Sequence, residues 1–146
     1  CWVNGIYYLR LSGHADTVTQ GLKPLSGQLI DADAAAVFWQ AIRDQQHEFF
    51  ATAQAKPLWR VVTPPAAPLP DFTGELLLEW QGGLRWLRHD NADVVRDYAL
   101  KVGGWCWAVG QLQPIDVAQA RLMQRLKHAF DPADIFVSTL DFSNAN

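Results

Sequence analysis

The sequence predicts an α+β fold, an antiparallel sheet of ferredoxin-like arrangement with helices packed on one face. Two observations predict it: strand-like runs alternate with segments of helical apolar spacing, and a glycine-joined hairpin sits amid that alternation. A third sets the scale, because 146 residues make one domain or two small lobes sharing a core. Such a chain buries about two thirds of its unfolded surface and needs neither metal nor disulfide to hold it.

The elements follow in order. Ile6 to Leu11, rich in aromatic and branched residues and closed by Ser12-Gly13, predicts a first strand. Ala15, Val18, Leu22 and Leu25 then recur at helical spacing over residues 14–25, with Gly27 as the stop. Asp31 or Asp33 caps the next helix, whose apolar side of Ala36, Val37, Trp39, Ala41 and Ile42 is expected to run on to Phe49-Phe50. Leu58 to Val62 is a short strand closed by the proline-rich loop Pro64 to Pro70, since proline has no amide to give a sheet. Gly74 to Trp80 and Leu84 to Arg88 are the arms of the hairpin, and the pair Gly82-Gly83 is expected to take its positive φ values. Asn91 caps a helix through Val94, Val95, Tyr98 and Val102, and Gly103-Gly104 ends it before the strand Trp105 to Val109. A last helix is expected from about Pro114 to Phe130, with Val117, Leu122, Leu126 and Phe130 on one side, stopped by Asp131-Pro132.

Composition excludes several function classes. Net charge is −3 with Lys and Arg scattered singly, so no basic footprint exists for nucleic acid. No apolar run approaches the ~20 residues needed to span a bilayer, and the expectation is a soluble, cytoplasmic protein. Cys1 and Cys106 are far apart, and Cys106 between Trp105 and Trp107 is expected to be a structural thiol. Charged residues are only 18% of the chain, which points to a covered face, and the seven tryptophans are expected to lie mostly in the core, with any that do not at a contact surface. The chain lacks an initiator Met and enters the apolar run at Ile6 almost at once, so a piece of a longer polypeptide is expected.

Catalytic signatures are missing: there is no phosphate-binding glycine loop, no nucleophile elbow, no His-Glu-x-x-His and no Cys-x-x-Cys. His14, His47, His89 and His128 are dispersed at spacings that suit no metal, and each reads as solvated or packed. From these residues alone the reading stops at an α+β domain with an aromatic face.

Five stretches in order carry a resemblance over nearly the whole chain. They are Tyr8 to Gly13, Ala36 to Phe50, Pro57-Leu58-Trp59-Arg60-Val61, the hairpin from Gly74 to Leu87, and Leu126 to Phe136. Together they resemble the carboxy-terminal half of the FAD-binding subunits of bacterial glycolate oxidases, within the vanillyl-alcohol-oxidase-type FAD-linked oxidases. The resemblance implies that the chain is a single carboxy-terminal cap or substrate-side domain. FAD would be held mainly by an upstream domain absent here, and the cofactor contacts and catalytic residues remain unassigned. It further implies oxidation of glycolate or a similar small 2-hydroxy acid to the 2-oxo acid, in a complex with a second flavoprotein subunit and an iron–sulfur subunit. The location implied is cytoplasmic, peripheral at most to the inner membrane, and the isolated fragment is expected to be inactive. Where the family continues into Asn-Pro-Gly, this chain instead reads Phe136-Val137-Ser138-Thr139.

Such a reaction needs a cation for the substrate carboxylate, and the planar guanidinium matches two oxygens at once. Arg60 is the first candidate, followed by Arg85 and Arg88 on the hairpin. Arg60 can equally be an exposed or ion-paired strand residue. The competing functional reading is a non-catalytic α+β interaction module that has lost flavin binding and uses its tryptophans to hold a partner.

Overall fold

The computed structural model describes residues 1–51 and 56–143. The chain divides into two compact units, Cys1–Ala55 and Lys56–Asn146.

In the first unit, β1 (Trp2–Val3) pairs antiparallel with β2 (Ile6–Tyr7). Asn4 and Gly5 join them with φ of 53° and 80°, the left-handed pair that a two-residue hairpin turn requires. The strand predicted to reach Leu11 stops at Tyr7 because β1 offers it only two residues to pair with, and Tyr8 N–H closes the hairpin on Cys1 O at 2.7 Å. Helix α1 (Ala15–Leu22) forms where its spacing predicts, yet none of its residues is buried. Helix α2 (Ala32–Arg43) begins at Asp31, whose carboxylate accepts from the Asp33 and Ala34 amides and so satisfies two orphan donors of the first turn. It does not run on to Phe50. Gln45 turns left-handed at φ 56°, the amides of Gln46 and His47 both fold back on Ala41 O, and a separate turn of helix, α3 (Glu48–Ala51), follows. Phe38 on α2 stacks on Tyr8 with centroids 4.1 Å apart, and Ile42 and Phe49 are buried.

The second unit is built on β3 (Leu58–Val62), β4 (Leu76–Glu79), β5 (Leu84–Arg88) and β6 (Trp105–Ala108). They lie across the sheet as β4-β5-β3-β6, and every one of these neighbours is antiparallel, so the fold is α+β. Helix α4 (Ala92–Lys101), capped by Asn91 as predicted, connects β5 to β6 and covers one face. There Trp59, Val61, Leu87 and Ala108 pack against Val95, Tyr98 and Ala99. Each large apolar side chain so buried contributes about 1.5–3 kcal/mol, and these form the main core of the unit. The indole N–H of Trp59 is satisfied there by His89 O at 3.0 Å.

The β4–β5 turn differs from expectation. Positive φ falls on Trp80 (49°), Gln81 (57°) and Gly82 (94°), while Gly83 is right-handed at −76°. Trp80 therefore leaves the strand and starts the turn. Gly82 is required twice, by its φ and by the Pro65 carbonyl, which would lie 2.8 Å from an added Cβ.

Beyond β6, β7 (Gln113–Pro114) pairs parallel with β8 (Leu140–Asp141), a contact the sequence reading did not foresee. Helix α5 (Val117–Phe130) thus begins after Pro114, at Asp116, whose carboxylate accepts from the Ala118 and Gln119 amides. It ends at Asp131 as predicted. Its apolar row of Leu122, Leu126 and Phe130 is exposed, whereas Ala120 is buried. No helix of the described residues is long and apolar enough to cross a membrane.

Candidate functional site

The sheet of the second unit has a second face, opposite α4, and strand alternation decides which residues reach it. Arg60 lies on that face. In the register it sits directly opposite Trp86 on β5 and Trp107 on β6, and Trp86 is in turn opposite Leu77 on β4. Opposed residues of antiparallel strands share a face, so one row across the sheet reads leucine, tryptophan, arginine, tryptophan.

The side chains realise that row as a clamp. The Arg60 guanidinium carbon lies 4.8 Å from the Trp107 ring centroid, 5.7 Å from Trp86 and 5.3 Å from Trp80, which the left-handed turn delivers from beyond β4. Trp105 stacks on Trp107 with centroids 4.7 Å apart and planes 10° from parallel. The Trp86 indole donates to Glu79 Oε2 at 2.7 Å, which fixes both the ring and the carboxylate beside Arg60. Burial pulls the Arg60 pKa below the ordinary arginine value, and Glu79 acts in the opposite sense. The guanidinium stays charged.

The three candidate arginines meet different fates. Arg60 makes no hydrogen bond among the described residues; its contacts there are the indole rings and the field of Glu79. Ring contacts engage the cation's charge and its flat faces, and they leave the N–H groups in its plane available. Arg85 lies on the α4 face at 1% exposure with all its nitrogens engaged. Nε donates to Gly82 O at 3.0 Å, Nη2 to Ala67 O at 2.6 Å, and Nη1 to Pro68 O at 2.6 Å and to the Tyr98 hydroxyl. It staples the proline-rich loop to the sheet, and burial lowers its pKa. Arg88 is buried, with Nη1 on Lys56 O at 3.3 Å and Nε 3.7 Å from Glu75 Oε2. Of the three, only Arg60 combines positive charge with donors still open to an incoming carboxylate.

Two of the histidines serve the backbone. His47 Nδ1 accepts from Phe49 N–H at 3.2 Å, and His89 Nδ1 from Asn91 N–H at 3.1 Å. Neither Cys1 nor Cys106 is in a disulfide, and burial raises the Cys106 pKa while Arg96 opposes the shift. Among the described residues no group of three or more His, Cys, Asp or Glu side chains is placed to hold a metal ion. A groove of about 730 Å³ runs beside the end of α5, but it is lined by Asp131, Asp134 and Asp141. Its one lysine, Lys127, is held by Asp131 and Asp134, so the groove suits an anionic acid poorly.

Nor do these residues fit the pyrophosphate of a dinucleotide. Such a group sits on open amides at a helix amino terminus. Here the first-turn amides of α2, α4 and α5 are taken by Asp31, Asn91 and Asp116, and α1 carries Asp16 in its first turn. The starts of these four helices therefore suit flavin phosphates poorly.

Fold and site thus define an α+β protein whose sheet presents an arginine walled by tryptophans. The chain is similar to glycolate oxidase subunit GlcE of Escherichia coli (strain K12), being 32% identical over 141 residues. The match covers 93% of this chain and 39% of the relative, so the chain spans well under half the length of the protein it resembles. No family model and no solved structure matches it.

Sequence reasoning named Arg60 as a candidate and missed what surrounds it. Glu79, Trp80, Trp86 and Trp107 carried one usable signal, the i, i+2 spacing of Trp105 and Trp107 on a single strand face.

Proposed function

We propose that this chain is the substrate-side part of a FAD-dependent oxidoreductase subunit that converts glycolate or a similar 2-hydroxy acid to the 2-oxo acid, with Arg60 anchoring the carboxylate. The observation that carries the reading is the Arg60 guanidinium, charged, walled by indole rings and open along its donor edge. Similarity to a glycolate oxidase subunit supplies the reaction class. The flavin would be held by residues outside those described, and the other oxidase subunits would be its partners. A strand order of β4-β5-β3-β6 supports a ferredoxin-like cap whose first helix is replaced by the proline-rich loop. A location in the cytoplasm, at most peripheral to a membrane, accompanies this reading.

Arg60→Ala in the flavin-bearing protein tests it. Loss of a bidentate charge-assisted contact is expected to lower kcat/KM for glycolate by about 10- to 100-fold, with the melting temperature close to wild type. Unchanged turnover retires Arg60 as the anchor.

A second reading, a non-catalytic interaction module, is favoured by the exposed apolar row of α5 continuing into Ile135, Phe136 and Val137. Flavin bound by the longer protein speaks for the first reading, and none for the second.

A further inference from the structure

Building on the reading of Arg60 as a carboxylate anchor, we infer that the acid taken at this site bears an aromatic side chain, of the 3-phenyllactate class, in preference to the two-carbon glycolate. The walls carry the argument. Glycolate has almost no apolar surface, so indole rings beside its carboxylate can distinguish it from nothing. The clamp nevertheless places Trp80, Trp86 and Trp107 within 5.7 Å of the guanidinium.

Two of its features reach beyond what holding the cation requires. Trp105 stacks on Trp107 and stays 45% exposed, so the aromatic wall continues outward along β6 past the point where the carboxylate would sit. Trp80 is 61% exposed and is held over Arg60 in a left-handed conformation that a bulky residue adopts only at a cost. Both rings thus expose apolar surface on which a second ring can be laid, and such a ring gains from stacking as well as from burial. Trp86 is at 4% exposure with its N–H on Glu79, so the side chain of the acid runs along the Trp105–Trp107 wall instead.

Calorimetric titration of the 146-residue chain with 3-phenyllactate, glycolate and 3-phenylpropane-1,2-diol tests this. A hydrophobic pocket separates substrates that differ by a methylene by about tenfold or more, so phenyllactate is expected to bind at least about tenfold tighter than glycolate. The diol, which lacks the carboxylate, and the Arg60→Met chain with phenyllactate should both fall back by a similar factor. Trp105→Ala, at an exposed position, should weaken phenyllactate and leave glycolate alone. Equal binding of the two acids, both lost in Arg60→Met, overturns the aromatic class while leaving the anchor standing. Tight phenyllactate binding that survives Arg60→Met, or no binding of either acid, removes the anchor and the inference with it.

Discussion

Arg60 and Arg85 sit on adjacent strands of one sheet, a single register step apart, and have opposite roles. Arg60 faces away from α4 among indole rings, its donor edge open; Arg85 faces α4 and gives every nitrogen to the loop Ala67-Pro68, Gly82 and Tyr98. The same cation keeps its donor edge open on one face and is a structural staple on the other. What separates them is the parity of the strand and what each face offers: carbonyls lacking donors on one side, and rings that need none on the other.

The contrast breaks most readily through stability. Arg85→Met removes the charged donor of four hydrogen bonds, to the Gly82, Ala67 and Pro68 carbonyls and to the Tyr98 hydroxyl, and a bond to a charged group contributes about 1.5–3 kcal/mol, although Pro68 O keeps the Tyr98 O–H. Urea denaturation should therefore show a loss of about 3 kcal/mol or more for that variant. Arg60→Met removes no hydrogen bond, and the same titration should move by about 1 kcal/mol or less, the usual worth of cation–π contacts at a part-exposed site. Equal losses for the two would erase the distinction.

A smaller effect belongs to the tail, where charge serves structure without any ligand. Lys127 and the amides of Ile135 and Phe136 donate to Asp131 and hold its pKa down to about 2. Because the folded value is depressed, the contribution is present above the unfolded pKa of about 4 and fades as pH falls toward about 2. Thermal melts across that window should show the wild-type transition dropping as acid is added, and Asp131→Asn should flatten the dependence. A variant as acid-sensitive as wild type contradicts this account of the turn.

Much of the second unit was legible before the structure. β3 and β5 fall on the predicted bounds because branched and aromatic runs between turn residues leave little ambiguity, and Asn91 caps α4 because an Asn before an apolar helical run has a local reason to be there. The hairpin's arms were legible and its turn was not. Two glycines looked like the left-handed pair, but tertiary contact with Pro65 fixed one of them, and Trp80 and Gln81 took the rest. The opening hairpin was written in Asn4-Gly5 and went unread because its strands are only two residues long. The parallel pair β7–β8 joins segments far apart in sequence, and no local pattern announces such a pairing. For the site, residue chemistry singled out arginines as a class. Choosing among Arg60, Arg85 and Arg88 needed the register, which says who shares a face with the tryptophans.

The most direct test follows the arginine Nε–H resonances of the chain by NMR while 3-phenyllactate is added. The Arg60 signal is expected to exchange rapidly in the free protein and to shift as the acid binds, with the Arg85 signal protected and unmoved throughout. A shift at Arg85, or none at Arg60 while the acid demonstrably binds, contradicts the division of labour between the two faces.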